Sequence, residues 1–184
     1  ADKEQVVVQK EELGSQNFSY KEFQDVEIQL TGRNQIENAI TALEVIRALR
    51  NQNVSIPDEA IYQGMRRTVW PGRFQVLETS PLVIVDGAHN EDATRRLAEN
   101  IQTYLQGRPI IGVMGVFKDK AYKTIIEIMQ PYLEYVYTID LPNKDRTLDR
   151  RELARALKAQ GISAEDCESV EKALRKAKKS VNTI

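Results

Sequence analysis

The chain has 184 residues, 41% of them hydrophobic, with 26 basic against 27 acidic side chains and a formal net charge of −1. This is enough apolar material for a packed core, so a disordered tail is excluded; the balanced charge argues against a nucleic-acid binder, whose affinity rests on excess positive charge. No apolar stretch approaches the ~20 residues that span a bilayer, and the single cysteine, Cys167, leaves no internal disulfide and no cysteine-based zinc site.

The length fits one ordinary domain, or one domain and a piece of another. The opening Ala1-Asp2-Lys3-Glu4 lacks a basic region followed by an apolar core, so no signal peptide is expected and the setting reads as cytoplasmic.

The first thirty residues read as short strands at 5–8, 17–20 and 26–30, punctuated by Gly14-Ser15 and Gly32. From Asn34 the period becomes helical, with Ile36, Ile40, Leu43, Ile46 and Leu49 on one stripe. A second helix is predicted to start at Ser55-Ile56-Pro57-Asp58-Glu59 and to run to about Arg66, with proline near its first position and acids toward the positive end of its dipole.

Trp70-Pro71-Gly72-Arg73 then breaks the pattern, and the domain boundary is placed there, dividing 1–70 from 71–184. Beyond it, strands at 73–78, 82–85, 110–116, 135–139 and 162–166 alternate with helical stripes. The stripes are Ala93, Leu97, Ile101 and Leu105; Tyr122, Ile125, Ile126 and Met129; Leu153, Ala156 and Leu157; and Val170, Ala173, Leu174 and Ala177. This rhythm predicts an α/β fold of Rossmann-like type, a mostly parallel sheet with helices on both faces. Arg175, Lys176, Lys178 and Lys179 on the last helix read as a solvated face at a helix C-terminus.

The segment Asp86-Gly87-Ala88-His89-Asn90 is the most informative. It leaves a predicted strand, turns on glycine and enters a helix, and ligands of open α/β sheets collect at such strand ends. Asp86 could accept hydrogen bonds from ribose hydroxyls, or cap and turn the chain. His89, the only histidine, could bind an anion or move a proton, or be a surface or capping residue. Asn90 is the better N-cap candidate.

Arg73, after Pro71-Gly72, could reach an anion or simply lie on the surface. Trp70 reads as interdomain packing more than as a stacking platform. Asn38 could be exposed filler or could read a base edge through its amide. Gly112-Val113-Met114-Gly115 resembles part of a phosphate loop, but no Gly-x-Gly-x-x-Gly or Gly-x4-Gly-Lys-Ser/Thr occurs. Lys118-Asp119-Lys120 follows that strand and could contact a ligand carboxylate or cap the next helix.

Three of these segments occur together: Gln35-x-x-Asn38-Ala39, Trp70-Pro71-Gly72-Arg73 and Asp86-Gly87-Ala88-His89-Asn90. In this order they resemble the C-terminal part of the folylpolyglutamate synthase and dihydrofolate synthase family of the Mur ligase superfamily. Residues 17–20, residues 115–119 and Arg146 look like the family too. The resemblance implies residues 1–70 as the tail of a central P-loop domain and 71–184 as a glutamate-ligase domain.

It further implies an ATP-dependent ligase joining L-glutamate to a folate carboxylate through an acyl phosphate, in a cleft between those two domains. Asn38, Arg73 and Asp86 are then ATP contacts, Asn38 on the adenine side and Asp86 through ribose. His89 lies near the incoming glutamate or the reacting phosphate. The cofactors implied are ATP and Mg2+, with the P-loop, the metal ligands and the main folate contacts in an N-terminal half that these residues do not include, so no metal ligand is expected here. The partners are folate and glutamate, with no nucleic acid, no membrane and a monomeric state expected.

The sequence departs from the family at Asn34, where histidine is usual, and after Asn182-Thr183-Ile184, where a final strand with a Gly-Ser turn is usual. On this reading the chain is roughly a C-terminal half and has no ligase activity alone. The competing readings are a non-catalytic α/β module binding a nucleotide or acidic metabolite, and a Mur-type ligase acting on a peptidoglycan precursor.

Overall fold

The computed structural model describes residues 2–181, so the Asn182-Thr183-Ile184 end lies outside the described residues. The chain forms two compact units, Ala1–Gly87 and Ala88–Ile184.

In the first unit, β1 (Val6–Glu12), β2 (Ser15–Tyr20) and β3 (Phe23–Ile28) form an antiparallel meander in that order. Alternation along β2 turns Gln16, Phe18 and Tyr20 inward, each fully buried. Phe18 and Tyr20 meet Val26 and Ile28 of β3, Ile36, Ile40 and Leu43 of helix α1 (Arg33–Asn51), and Ile61 of helix α2 (Asp58–Arg67). Pro57 is the N-cap of α2, and Asp58 and Glu59 fill the first turn as predicted. Strands β4 (Gln75–Thr79) and β5 (Leu82–Val85) close the unit as an antiparallel hairpin. β4 starts two residues later than predicted because Phe74 has a φ of 45°, which an extended strand does not accommodate.

The second unit opens with α3 (Glu91–Tyr104), capped as expected by Asn90, whose Oδ1 accepts the Ala93 N–H at 2.9 Å. Strands β6 (Ile111–Met114), β7 (Tyr135–Thr138) and β8 (Ser163–Asp166) form a parallel sheet in that order, linked through helices α4 (Tyr122–Met129) and α5 (Arg150–Ala159). One face packs Val136 and Ala164 against Ile126, Leu153 and Leu157 of α4 and α5. The other packs Tyr135 and Tyr137 against Ala173 and Ala177 of α6 (Val170–Val181). Helices thus cover both faces, as the alternating pattern predicts.

Two details differ from the sequence reading. The parallel sheet has three strands among the described residues, with the hairpin β4–β5 forming a sheet of its own. Strand β6, whose apolar run from Ile110 to Val116 reads in sequence as a buried-type strand, is half-buried along its length because it is an edge strand among the described residues, whereas β7 at the centre buries Val136, Tyr137 and Thr138.

Candidate functional site

Helix α1 enters from Gly32, whose φ of 105° suits glycine and which provides no side-chain cap. The entry is held instead by Gln16, buried under the sheet, whose Nε2 donates to the carbonyls of Leu30 and Gly32. One turn on, Asn38 is exposed, and its Nδ2 donates to Gln35 Oε1 at 3.1 Å. That bond uses one of the two N–H groups of the Asn38 amide.

The two later motifs are bonded to each other. Gly72, with a φ of 71°, accepts at its carbonyl the Gly87 N–H at 2.8 Å. A Cβ on Gly87 would lie 3.4 Å from that oxygen. Two residues on, the buried Phe74 donates its N–H to Asp86 Oδ2 at 2.8 Å. These bonds continue the β4–β5 ladder past Gln75 and Val85, so Asp86 lies opposite Phe74 and the strand-end carboxylate anchors a strained turn. Arg73, between the anchored residues, is exposed.

Arg73 lines a cavity of about 600 Å3 together with Asn34, Gln35, Asn38 and Trp70; its inner walls are apolar residues of α1 and α2 such as Ile46, Ile61 and Met65. It also borders a smaller cavity of about 200 Å3 beside Leu30, Thr31 and Phe74. Trp70, 61% exposed, lines both. Asn38 and Arg73 are therefore brought to one cavity. Asp86 is bonded to the residue next to Arg73. His89, in the second unit, is exposed and precedes the Asn90 cap of α3; it lines neither cavity.

At the carboxyl edge of β6, Asp119 does not cap α4, whose N-cap is Ala121 without a side-chain bond. It pairs instead with Arg146 at 2.7 Å, and this holds its carboxyl below the usual carboxylate range. The Arg146 guanidinium lies 4.5 Å over the Phe117 ring, and its backbone carbonyl accepts the Lys118 N–H at 2.8 Å. Gly115 serves packing: a Cβ there would meet Leu141 Cδ2 at 2.8 Å. Among the described residues no three His, Cys, Asp or Glu side chains stand together as metal ligands, and no helix is long and apolar enough to cross a membrane.

Residues 72–183 match the family described as Mur ligase, glutamate ligase domain. A dihydrofolate synthase/folylpolyglutamate synthase of Bacillus subtilis is 29% identical over 141 residues, which are 73% of this chain and 33% of that protein. The folylpolyglutamate synthase structure from Thermotoga maritima superposes with a TM-score of 0.82 at 28% identity, covering 92% of this chain and 40% of its own. A bifunctional folylpolyglutamate synthase/dihydrofolate synthase structure with Mn, AMPPNP and L-glutamate bound gives a TM-score of 0.69 at 29% identity, covering 95% and 40%. The chain thus spans between a third and two fifths of the length of these relatives. Since the family match takes in well over half of its residues, the chain belongs to the Mur ligase family through its glutamate ligase domain.

Proposed function

We propose that this chain is the C-terminal part of an ATP-dependent ligase that adds L-glutamate to a folate carboxylate through an acyl phosphate. Residues 1–70 then complete a central ATP-binding domain and 71–184 form the glutamate-ligase domain. This boundary follows the family match, which opens at Gly72, although the hairpin β4–β5 clusters with the first unit. The observation that carries the reading is the cavity that Asn38 and Arg73 share, with the arm bearing Arg73 bonded to the Asp86 segment.

The residues fit a nucleotide. The cavity has the volume of a nucleoside-sized ligand, apolar walls for the faces of a base, an amide at its rim and a guanidinium for phosphate or ribose oxygens. ATP supplies the phosphoryl group that activates the carboxylate. On this chain Asn38 orients the base, Arg73 neutralises phosphate charge, and Asp86 fixes the arm and accepts from ribose. His89 serves the incoming glutamate or the reacting phosphate. The Mg2+ expected to accompany ATP would take its ligands with the P-loop, in the portion of the relatives that this chain does not span. Monomeric, cytoplasmic action on folate and glutamate, without nucleic acid or membrane, completes the proposal.

The test is to join the chain to the portion of a relative that it does not span and to follow folate- and glutamate-dependent ADP release. Activity is expected in the joined protein and absent from the chain alone. Arg73→Ala and Asn38→Ala are expected to raise the KM for ATP about tenfold, the loss of one charge-assisted or amide contact. Turnover by the isolated chain, or unchanged ATP kinetics in both variants, overturns the reading.

A further inference from the structure

The backbone that carries Arg73 is tied down on both sides of it. Arg73 stands between two left-handed residues, Gly72 with a φ of 71° and Phe74 with a φ of 45°. The Phe74 N–H is held by Asp86, and the Gly72 carbonyl by the Gly87 N–H. A third tie comes from Gln75, the first residue of β4, whose Oε1 accepts the Gly72 N–H at 3.0 Å. In the sequence Gln75 is one more polar residue of the strand predicted at 73–78. In the structure it is half-buried and closes the turn around Arg73.

The Arg73 side chain is left out of these ties. It is exposed, and among the described residues its guanidinium has neither an ion pair nor a hydrogen bond. A glutamine that folds back on an amide three residues earlier gives up side-chain freedom. What the bond fixes in return is the direction in which the intervening arginine leaves the backbone. Part of an arginine's affinity for phosphate is lost to ordering its own segment on binding, and a segment already ordered spares that loss. Arg73 lines both cavities, whereas Gln75 lines only the smaller. Its effect on a ligand of the larger cavity therefore runs through Arg73.

We propose that Gln75 is a positioning residue that sets the Arg73 guanidinium for the phosphates of a nucleotide. The inference rests on the nucleotide reading of the cavity given above and adds to it a residue to which that reading gives no role. Asp86 holds the far end of the same turn, but in that reading its carboxylate also meets the ligand. The Gln75 amide holds the near end and meets no ligand, so its substitution isolates the positioning effect.

The experiment uses the 184-residue chain as it stands. Trp70 is its only tryptophan and lines the larger cavity, so its fluorescence reports occupancy directly. The probes are ADP and adenosine, which differ by the phosphates that Arg73 addresses. ADP is expected to bind about tenfold more tightly than adenosine, the worth of one charge-assisted contact. Arg73→Ala is expected to bring that ratio close to one. Gln75→Met, which keeps the length of the side chain without its acceptor, and Gln75→Ala are expected to bring it to about threefold, the loss of a pre-ordered segment. Adenosine affinity is expected to stay unchanged in both, while hydrogen exchange at the Gly72 amide becomes faster. In the Arg73→Ala background neither Gln75 substitution is expected to change the ratio further. A merely structural loosening of the cavity lowers both affinities together and leaves their ratio where it was.

If Arg73→Ala lowers the ratio and both Gln75 variants keep that of the parent, the inference fails and the nucleotide reading survives. A Gln75 effect that persists undiminished without Arg73, or that falls equally on adenosine, also overturns the inference and spares the reading. If neither probe perturbs Trp70, or if Arg73→Ala leaves the ratio unchanged, the nucleotide reading fails and the inference with it.

Discussion

Asp86 is the residue whose substitution separates a structural from a purely ligand-binding role. Its carboxylate accepts the N–H of Phe74, which holds a φ of 45° and is 2% exposed. Asp86→Ala leaves that N–H without its acceptor beside a buried ring. A hydrogen bond to a charged group contributes about 1.5–3 kcal/mol, and a non-glycine residue in the left-handed region stores about 1–2 kcal/mol that the bond no longer offsets. The turn can relax, which recovers part of this, so a net loss of about 2 kcal/mol is expected. For a chain of this length that lowers the midpoint of thermal unfolding by about 4–8 °C. Asp86→Asn keeps an acceptor at the same place and is expected to lose less than half as much. The assay is thermal denaturation by circular dichroism, with hydrogen exchange at the Phe74 and Gly87 amides to localise the change. An Asp86→Ala midpoint within a degree of the parent, with both amides still protected, refutes the anchoring argument and leaves Asp86 as a ligand contact only.

Glu44 accepts from Lys21 Nζ and from the Tyr20 hydroxyl, both at 2.6 Å, and pairs with Arg47; these contacts, Lys21 first, hold its carboxyl down to about 2. A carboxyl lowered on folding contributes stability above its unfolded value and loses it as the pH falls through the folded one, so stability is expected to drop between about pH 4.5 and 2, and Glu44→Gln to flatten that limb in acid titrations of the unfolding midpoint. Gly115→Ala is expected to destabilise the second unit by about 1–3 kcal/mol through overpacking against Leu141 Cδ2 and the Ile139 carbonyl, measured by urea denaturation; an unchanged midpoint would remove the packing explanation for this glycine.

What was legible in the sequence followed from periodicity. The alternation of Phe18 and Tyr20, the stripe from Ile36 to Leu43 and the β/α rhythm after Arg73 each report a buried face, and the corresponding elements formed there, with strand ends shifted by a few residues and β4–β5 set apart as an antiparallel hairpin. The Asn90 cap was legible because a cap depends on one side chain and the three residues after it. Long-range bonds were not. The clamp of Arg146 on Asp119 and Phe117 joins positions 27 or more residues apart, and no local pattern marks it. Gln16 was hidden for a related reason: a glutamine in an alternating strand reads as solvent-facing, yet it sits at an inward position because two carbonyls at the mouth of α1 need a donor. Strand β6 was misjudged because hydrophobicity does not reveal whether a strand is central or at an edge.

The pentapeptide 86–90 shows how a motif divides its labour. Asp86 and Gly87 are bonded inside the first unit, to Phe74 and to Gly72. Asn90 is bonded inside the second, to the amide of Ala93 at the start of α3. Each of these residue types is required by a definite contact: an acceptor for a strained amide, a residue without Cβ beside a carbonyl, an oxygen for a helix end. The role proposed for His89 at the glutamate or the reacting phosphate rests on the resemblance of the segment to the glutamate-ligase family. The carboxylate at the strand's end, by contrast, must be tested for stability before any kinetic effect of its loss is read as catalysis.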